Sequence, residues 1–294
     1  MKNSIKISPS IGTLLALPVA LLTCASANAQ LVSYESFAGY TVGLPVPGTS
    51  PSPTVAGYTG DWTAVDWGGQ WPTVIAGPLT YTGTGYANGS GNYISVPNAA
   101  FDYADSGRMY RLLDSSLLVN SSTSGTLYLS WLFQSGNQGA TTYQMLDLYN
   151  TDTADANRTF TAGITQNGGN SGTQYDFSVN EAYTSTGVSV DTAVHLFVAR
   201  FNLSATAGAD SVTVWLDPTL GAGDPSGGIT TGGQNIAFDR LAISDYDENL
   251  ANWGEIRWGT TFDSVTITPV PEPSTFALIG LGGLAVLLRR KNRA

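Results

Sequence analysis

Ser211-Val212-Thr213-Val214-Trp215-Leu216 alternates: Val212, Val214 and Leu216 fall on one face of an extended chain, and Ser211, Thr213 and Trp215 fall on the other. That period of two predicts a β-strand with one face in a core. Just upstream, His195-Leu196-Phe197-Val198-Ala199-Arg200-Phe201 is a second run of strand length. Working outward, the stretches 32–37, 126–133, 143–149, 159–164, 175–179, 236–243, 255–260 and 265–267 are each short and rich in aromatic and β-branched residues. Glycine- and asparagine-bearing turn clusters at 68–69, 83–85, 88–92, 167–172, 221–228 and 232–233 punctuate them. No helical stripe stands out between the two ends. The pattern predicts an all-β chain, an antiparallel β-sandwich, with residues 30–268 forming one domain because no linker-like break divides them. The Pro/Ser/Thr-rich stretch 45–54 reads as a long surface loop after the first strand.

Composition narrows the chemistry. Of 294 residues only 12% are charged, while 34 are glycine and aromatic residues are plentiful, with 14 Tyr, 10 Phe and 7 Trp. That profile suits a β-rich extracellular domain. One His and one Cys exclude a His/Cys zinc cluster and leave at most one imidazole for acid/base work. Between residues 30 and 268 there are 6 Arg, no Lys and 21 acidic side chains, a net charge of −15. Such a surface repels nucleic acid and anionic membrane and stays soluble.

The two ends read as processing signals. Lys2 and Lys6 precede an apolar run at 11–22, and Ala27-Asn28-Ala29 supplies the small-x-small pattern of a secretory cleavage site, which makes residues 1–29 a signal peptide cut after Ala29. A signal anchor and a lipoprotein site at Cys24 are the competing readings; the run is short for the first, and Thr23 stands where a small residue is wanted for the second. The mature chain then contains no cysteine, so its core holds the fold without disulfides. At the other end, 276–288 is an unbroken apolar stretch followed by Arg289, Arg290, Lys291 and Arg293. As a helix it would cover roughly 20 Å, a short transmembrane segment that snorkelling arginines or local thinning accommodates. Its basic tail would stay cytoplasmic.

Pro271-Glu272-Pro273 stands just before this stretch. Pro-Glu-Pro, a short Gly/Leu-rich span and an Arg-rich end together resemble the PEP-CTERM sorting signal of Gram-negative bacteria, here residues 269–294. The resemblance implies recognition by an exosortase, a membrane-embedded transpeptidase-like enzyme that removes the anchor near Pro-Glu-Pro. It also implies transient lodging in the inner membrane through 276–288, then display at the cell surface or in an exopolysaccharide matrix. In the body, Gly107-Arg108-Met109-Tyr110-Arg111, the stretch 125–133, the two strands quoted above and Glu255-Ile256-Arg257-Trp258-Gly259-Thr260 resemble concanavalin A-like jelly rolls of the laminin-G-like type. That resemblance implies that the last strand returns beside the first.

Three clusters are candidate sites. Asp245-x-Asp247-x-Asn249 has the oxygen spacing of the start of a calcium loop, but Leu250 and Ile256 replace the turn glycine and bidentate glutamate of an EF-hand. A single structural calcium and a solvated acidic turn are the two readings left; no other cofactor is expected. Trp62, Trp67 and Trp71, with Asp61, Asp66 and Gln70 between them, offer either a glycan-stacking platform or sandwich-end packing. His195, without a second His or a Cys, reads as a satisfied structural histidine. The body has four glutamates, the nearest pair seven residues apart, and lacks the Glu-x-Asp-x-x-Glu of concanavalin-like glycoside hydrolases. The expectation is a non-catalytic surface or matrix protein, with carbohydrate binding as the alternative and glycoside hydrolysis behind it.

Overall fold

The computed structural model describes residues 30–47, 54–65, 72–96, 107–136, 143–167, 169, 171–221, 223–246 and 250–267. Among the described residues the strands run in chain order as β1 Leu31–Glu35, β2 Tyr58–Val65, β3 Thr73–Ile75, β4 Tyr93–Val96, β5 Gly107–Leu113, β6 Gly125–Ser135, β7 Tyr143–Tyr149 and β8 Arg158–Thr165. They continue as β9 Gln174–Val179, β10 Ala182–Ser189, β11 Val194–Leu203, β12 Asp210–Leu216, β13 Ile229–Gln234, β14 Arg240–Asp245 and β15 Ala251–Gly259, closed by the short helix α1 Phe262–Thr266. The first sheet has the order β13-β12-β11-β6-β15-β4-β3, and the second has the order β10-β9-β8-β7-β14-β5-β2. Every pairing is antiparallel, as the turn-rich sequence predicts. The expected return of the last strand to the first is also present: β1 pairs with the second half of β15, and β4 pairs with its first half.

The two sheets face each other across one apolar core. Trp131 and Phe133 of β6, Phe197 and Phe201 of β11, and Trp253 and Trp258 of β15 meet Leu146 and Leu148 of β7 and Phe160 of β8. Trp131 stacks on Phe197 at 5.0 Å and Phe160 meets Phe201 edge-on at 5.2 Å. Such pairs add about 0.5–1.5 kcal/mol each beyond area burial. The first sheet is covered on its outer side as well. Leu79, Tyr81 and Tyr86 from the β3–β4 connection and Phe262 and Val265 of α1 pack over Leu132, Leu196, Val198 and Trp215. Burial on both faces is why β6 and β11 read as almost continuous apolar runs.

An ion pair links the two sheets inside the sandwich. Arg111 donates to Glu35 Oε2 at 2.9 Å, and Tyr40 also reaches that carboxylate. Burial pushes the Glu35 carboxyl above its ordinary range against the pull of the Phe37 N–H, Arg111 and Tyr40. A second buried carboxylate sits at the bulge of β15, where Glu255 has φ +55°. Tyr34 donates to its two oxygens at 2.8 and 2.7 Å, Gly89 N–H donates at 3.1 Å and Arg257 at 2.6 Å.

Several local expectations change. Residues 265–267 do not form a strand. Thr261 caps α1 by accepting from Ser264 N–H while the Ser264 hydroxyl accepts from Thr261 N–H, and this reciprocal box turns the chain into a helix. Gly232-Gly233 lies inside β13, an edge strand, and is not a turn. The run at 236–243 becomes a strand only from Arg240. Pro45 bridges to Thr73 and Val46 is fully buried, so the start of the 45–54 stretch is anchored to the body.

Candidate functional site

The outer face of the second sheet carries side chains of a different kind. On β7 the period of two puts Tyr143, Met145, Asp147 and Tyr149 outward while Leu146 and Leu148 enter the core. Asp147 stands opposite Thr161 of β8, and Thr161 stands opposite Ser178 of β9. On the other side, Arg108 of β5 stands opposite Ser244 of β14. An acid, three hydroxyls and an arginine are thereby set side by side on a sheet face where all of them are buried.

Hydrogen bonds join these groups. Asp147 accepts from Ser244 Oγ and from Tyr143 Oη, the latter at 3.2 Å. Arg108 donates to Ser244 Oγ at 3.1 Å, to Tyr246 Oη at 2.7 Å, to Asp155 Oδ1 at 3.0 Å and to the Thr153 carbonyl. Arg158, at the head of β8, grips Glu181 with two parallel bonds at 2.7 and 2.9 Å and also reaches Tyr143 and Tyr183. The guanidinium carbons lie 4.8 Å over the Tyr149 ring for Arg108 and 5.3 Å over the Tyr143 ring for Arg158. Burial pushes the Tyr143 and Tyr149 phenols well above their ordinary range, with Asp147 adding to the rise, so both stay protonated and neither serves as a phenolate base. For Arg158, burial is outweighed by Glu181 and Asp147, which hold it firmly charged. Tyr149 Oη and Ser178 Oγ are buried with no hydrogen-bond partner.

The sites read from the sequence fall elsewhere. Trp62 is 2% exposed and packs in the core against Phe37, with ring centroids 6.2 Å apart. A glycan platform needs an open ring face, so Trp62 belongs to the packing; Trp67 and Trp71 lie outside the described residues. Asp245 closes β14 and is buried, while Asp247 and Asn249 lie outside the described residues. Among the described residues no group of three or more His, Cys, Asp or Glu side chains could hold a metal ion. His195 is buried between two carboxylates, with Nδ1 at 2.5 Å from Asp217 and Nε2 at 2.9 Å from Asp191. The Arg108–Arg158 network escaped the sequence reading because five strands and a turn contribute to it. Its one local signal is Asp147, an acid set between Leu146 and Leu148 in a strand of core length.

Pro271, Glu272, Pro273, Arg289 and Arg290, with the apolar stretch 276–288, lie outside the described residues. Within those described, no helix is long and apolar enough to cross a membrane.

Comparison with known proteins gives two kinds of likeness. The body is similar in fold to the carbohydrate esterase of Shiga toxin-encoding bacteriophage phi24B, at 13% identity and TM-score 0.46 over 79% of this chain and 99% of that one. It is also similar to a glycosyl hydrolase family protein from Mycobacterium fortuitum, at 13% identity and TM-score 0.44 over 78% of this chain and 99% of that one. Cellulose induced protein Cip1 aligns at 12% identity and TM-score 0.40 over 68% of this chain and 91% of that one. No curated protein matches the chain. At the C-terminal end, residues 269–291 match the family model of the PEP-CTERM protein-sorting motif. The chain therefore carries the PEP-CTERM protein-sorting motif and is an exosortase-targeted exported protein.

Proposed function

We propose that the protein is a non-catalytic component of the cell surface or extracellular matrix, released from its membrane anchor by exosortase and in contact with exopolysaccharide. The observation that carries this reading is the sorting motif at 269–291, whose order of Pro-Glu-Pro, apolar span and basic end dictates a sequence of events. The signal peptide is removed after Ala29. The segment 276–288 lodges in the inner membrane, with Arg289 and Arg290 held on the cytoplasmic side by charge. Pro271 and Pro273 keep the chain before it extended and unable to join the helix, so the bond to be cut is accessible.

The body suits life outside the membrane. All six of its arginines are ion-paired to carboxylates within the protein. Each also lies over an aromatic ring. With the cations engaged internally, the remaining surface charge is overwhelmingly negative, which favours solubility and repels anionic lipid. Residues 30–268 act as one unit in this reading.

Mass spectrometry of surface protein tests the sorting step. The mature form ends before Arg289, and Glu272→Ala or loss of the exosortase leaves uncut protein in the inner membrane. Surface protein ending at Ala294 in exosortase-positive cells would overturn it. The non-catalytic role is tested by incubating the protein with matrix polysaccharide; sugar release that disappears in Asp147→Asn would replace it with an enzymatic one.

A further inference from the structure

Arg108 and Arg158 differ from the other deeply buried arginines in what neutralises them. Arg111 and Arg257 pair with Glu35 and Glu255, whose side chains are each 1% exposed, so those pairs are sealed from solvent. Arg108 and Arg158 are buried to 8% and 5% side-chain exposure, yet their counter-ions reach solvent: they share Asp155, which is 70% exposed, and Arg158 also holds Glu181, which is 43% exposed, with two bonds. A single oxygen of Asp155 spans them, 3.0 Å from Arg108 and 3.6 Å from Arg158. That aspartate is delivered by one 3-10 turn, Asp155–Asn157, in the connection between β7 and β8.

We propose that the Arg108–Arg158 pair is a binding site for the carboxylate of an acidic sugar, a uronic acid unit of a polysaccharide, which Asp155 occupies from within when no ligand is present. Glu181 fills the Nε–Nη2 edge of Arg158 and stays in place, whereas Asp155 is held through a single oxygen, which a ligand carboxylate can replace with a charge-assisted bond to Arg108 Nη2. Exchange of Asp155 for a ligand carboxylate keeps the local charge unchanged, so neither arginine is left bare during the swap. Because Asp155 faces solvent, the incoming group approaches from the side that the aspartate leaves.

The surroundings favour a sugar over a simple anion. Tyr149 Oη and Ser178 Oγ lie buried on the same sheet face without partners, and a ligand hydroxyl would satisfy either one. Tyr183 and Tyr246 stand at the rim, half-buried, each already fixed by an arginine at 3.1 and 2.7 Å. Fixed phenols beside a carboxylate-binding fork combine apolar ring faces for a pyranose with donors for its hydroxyls. An internal carboxylate on a short turn competes at an effective concentration on the order of millimolar or above. The free protein therefore binds weakly, and removal of the competitor strengthens binding.

The site gives the matrix role a ligand class, and its test is made on purified protein, so failure here leaves the sorting reading untouched. Full-length protein in detergent, with chelator present, is titrated calorimetrically with tetragalacturonate and with its methyl ester. Asp155→Ala replaces an exposed side chain, and circular dichroism confirms that it folds. The expected result is at least tenfold tighter binding of the acid by Asp155→Ala than by the wild type, with no binding of the methyl ester. Equal affinity in the two proteins, equal binding of acid and ester, or no binding by either protein would overturn the proposal. Tetraglutamate binding as tightly as the sugar acid would overturn the assignment to a sugar in favour of an acidic peptide.

Discussion

Arg111 of the second sheet donates to Glu35 of the first at 2.9 Å, with both side chains almost wholly out of solvent. The pair bridges the sandwich through its core, and Arg111 also binds the Gly60 carbonyl at 3.0 Å and lies 5.3 Å over the Tyr58 ring. Its geometry fixes how β1 and β5 sit against each other, where apolar contact alone would let them slide.

Removing one member leaves the other charged and buried. Glu35→Ala or Arg111→Ala is expected to cost about 3–5 kcal/mol of stability, while Glu35→Leu with Arg111→Met together costs much less. Urea denaturation of the two single variants and the double variant measures the difference. Equal losses in all three would show that the pair contributes by packing alone.

The single histidine sets a pH dependence. Burial pulls the His195 imidazolium down, but hydrogen bonds to Asp217 and Asp191 outweigh it and hold its pKa above the ordinary value. A group with a raised folded pKa stabilises fully below its unfolded pKa, about 6.5, and its contribution is lost as pH rises through the folded value. The stability advantage of wild type over His195→Gln is therefore largest at mildly acidic pH and shrinks on going alkaline. Thermal melts across that range test the sign. One imidazole in the whole chain also gives an unambiguous nuclear magnetic resonance titration.

Gly89 has no room for a side chain. A Cβ there would lie 1.9 Å from Tyr34 Oη and 2.3 Å from Glu255 Oε1. Gly89→Ala is expected to cost about 1–3 kcal/mol, the usual penalty of overpacking. Because that Cβ would also meet both Glu255 oxygens, at 2.3 and 2.5 Å, Tyr34→Phe should relieve only part of the loss. A loss unchanged by Tyr34→Phe would place the strain elsewhere.

For the acidic stretch at Asp245, Asp247 and Asn249, the expected outcome is no calcium effect on melting, because Asp245 is buried and engaged within the protein. Calcium bound there would add about 2.7 kcal/mol at a hundredfold excess over its dissociation constant. A melting temperature that climbs with the logarithm of calcium in chelator-treated protein would establish a structural ion.

What the sequence made legible tracks burial. β6, β7, β8, β9, β11 and β12 lie inside the sheets, and their aromatic and β-branched runs could be read within a residue or two. β10 and β13 are edge strands of Ser, Thr and Gly with little buried surface, so they carry no apolar pattern, and Gly232-Gly233 of β13 reads as a turn. The end of the body misled for a local reason: Val265 and Ile267 favour a strand, but Thr261 and Ser264 cap a helix. The arginine site was illegible because its charges become neighbours only when β5, β7, β8 and β14 pair. For Trp62 the sequence left both packing and glycan contact open, because a tryptophan near acids has the same letters in a core as on a surface.

β15, the last strand before α1, lies inside its sheet, bonded to β6 on one side and to β4 and β1 on the other. Tension applied through the C-terminal end thus enters the body at a strand gripped along both edges. An outermost strand would peel away one hydrogen bond at a time, whereas this one must shear two ladders and drag Trp253 and Trp258 out of the core. A load applied at that end therefore meets a strand that cannot be peeled from an edge.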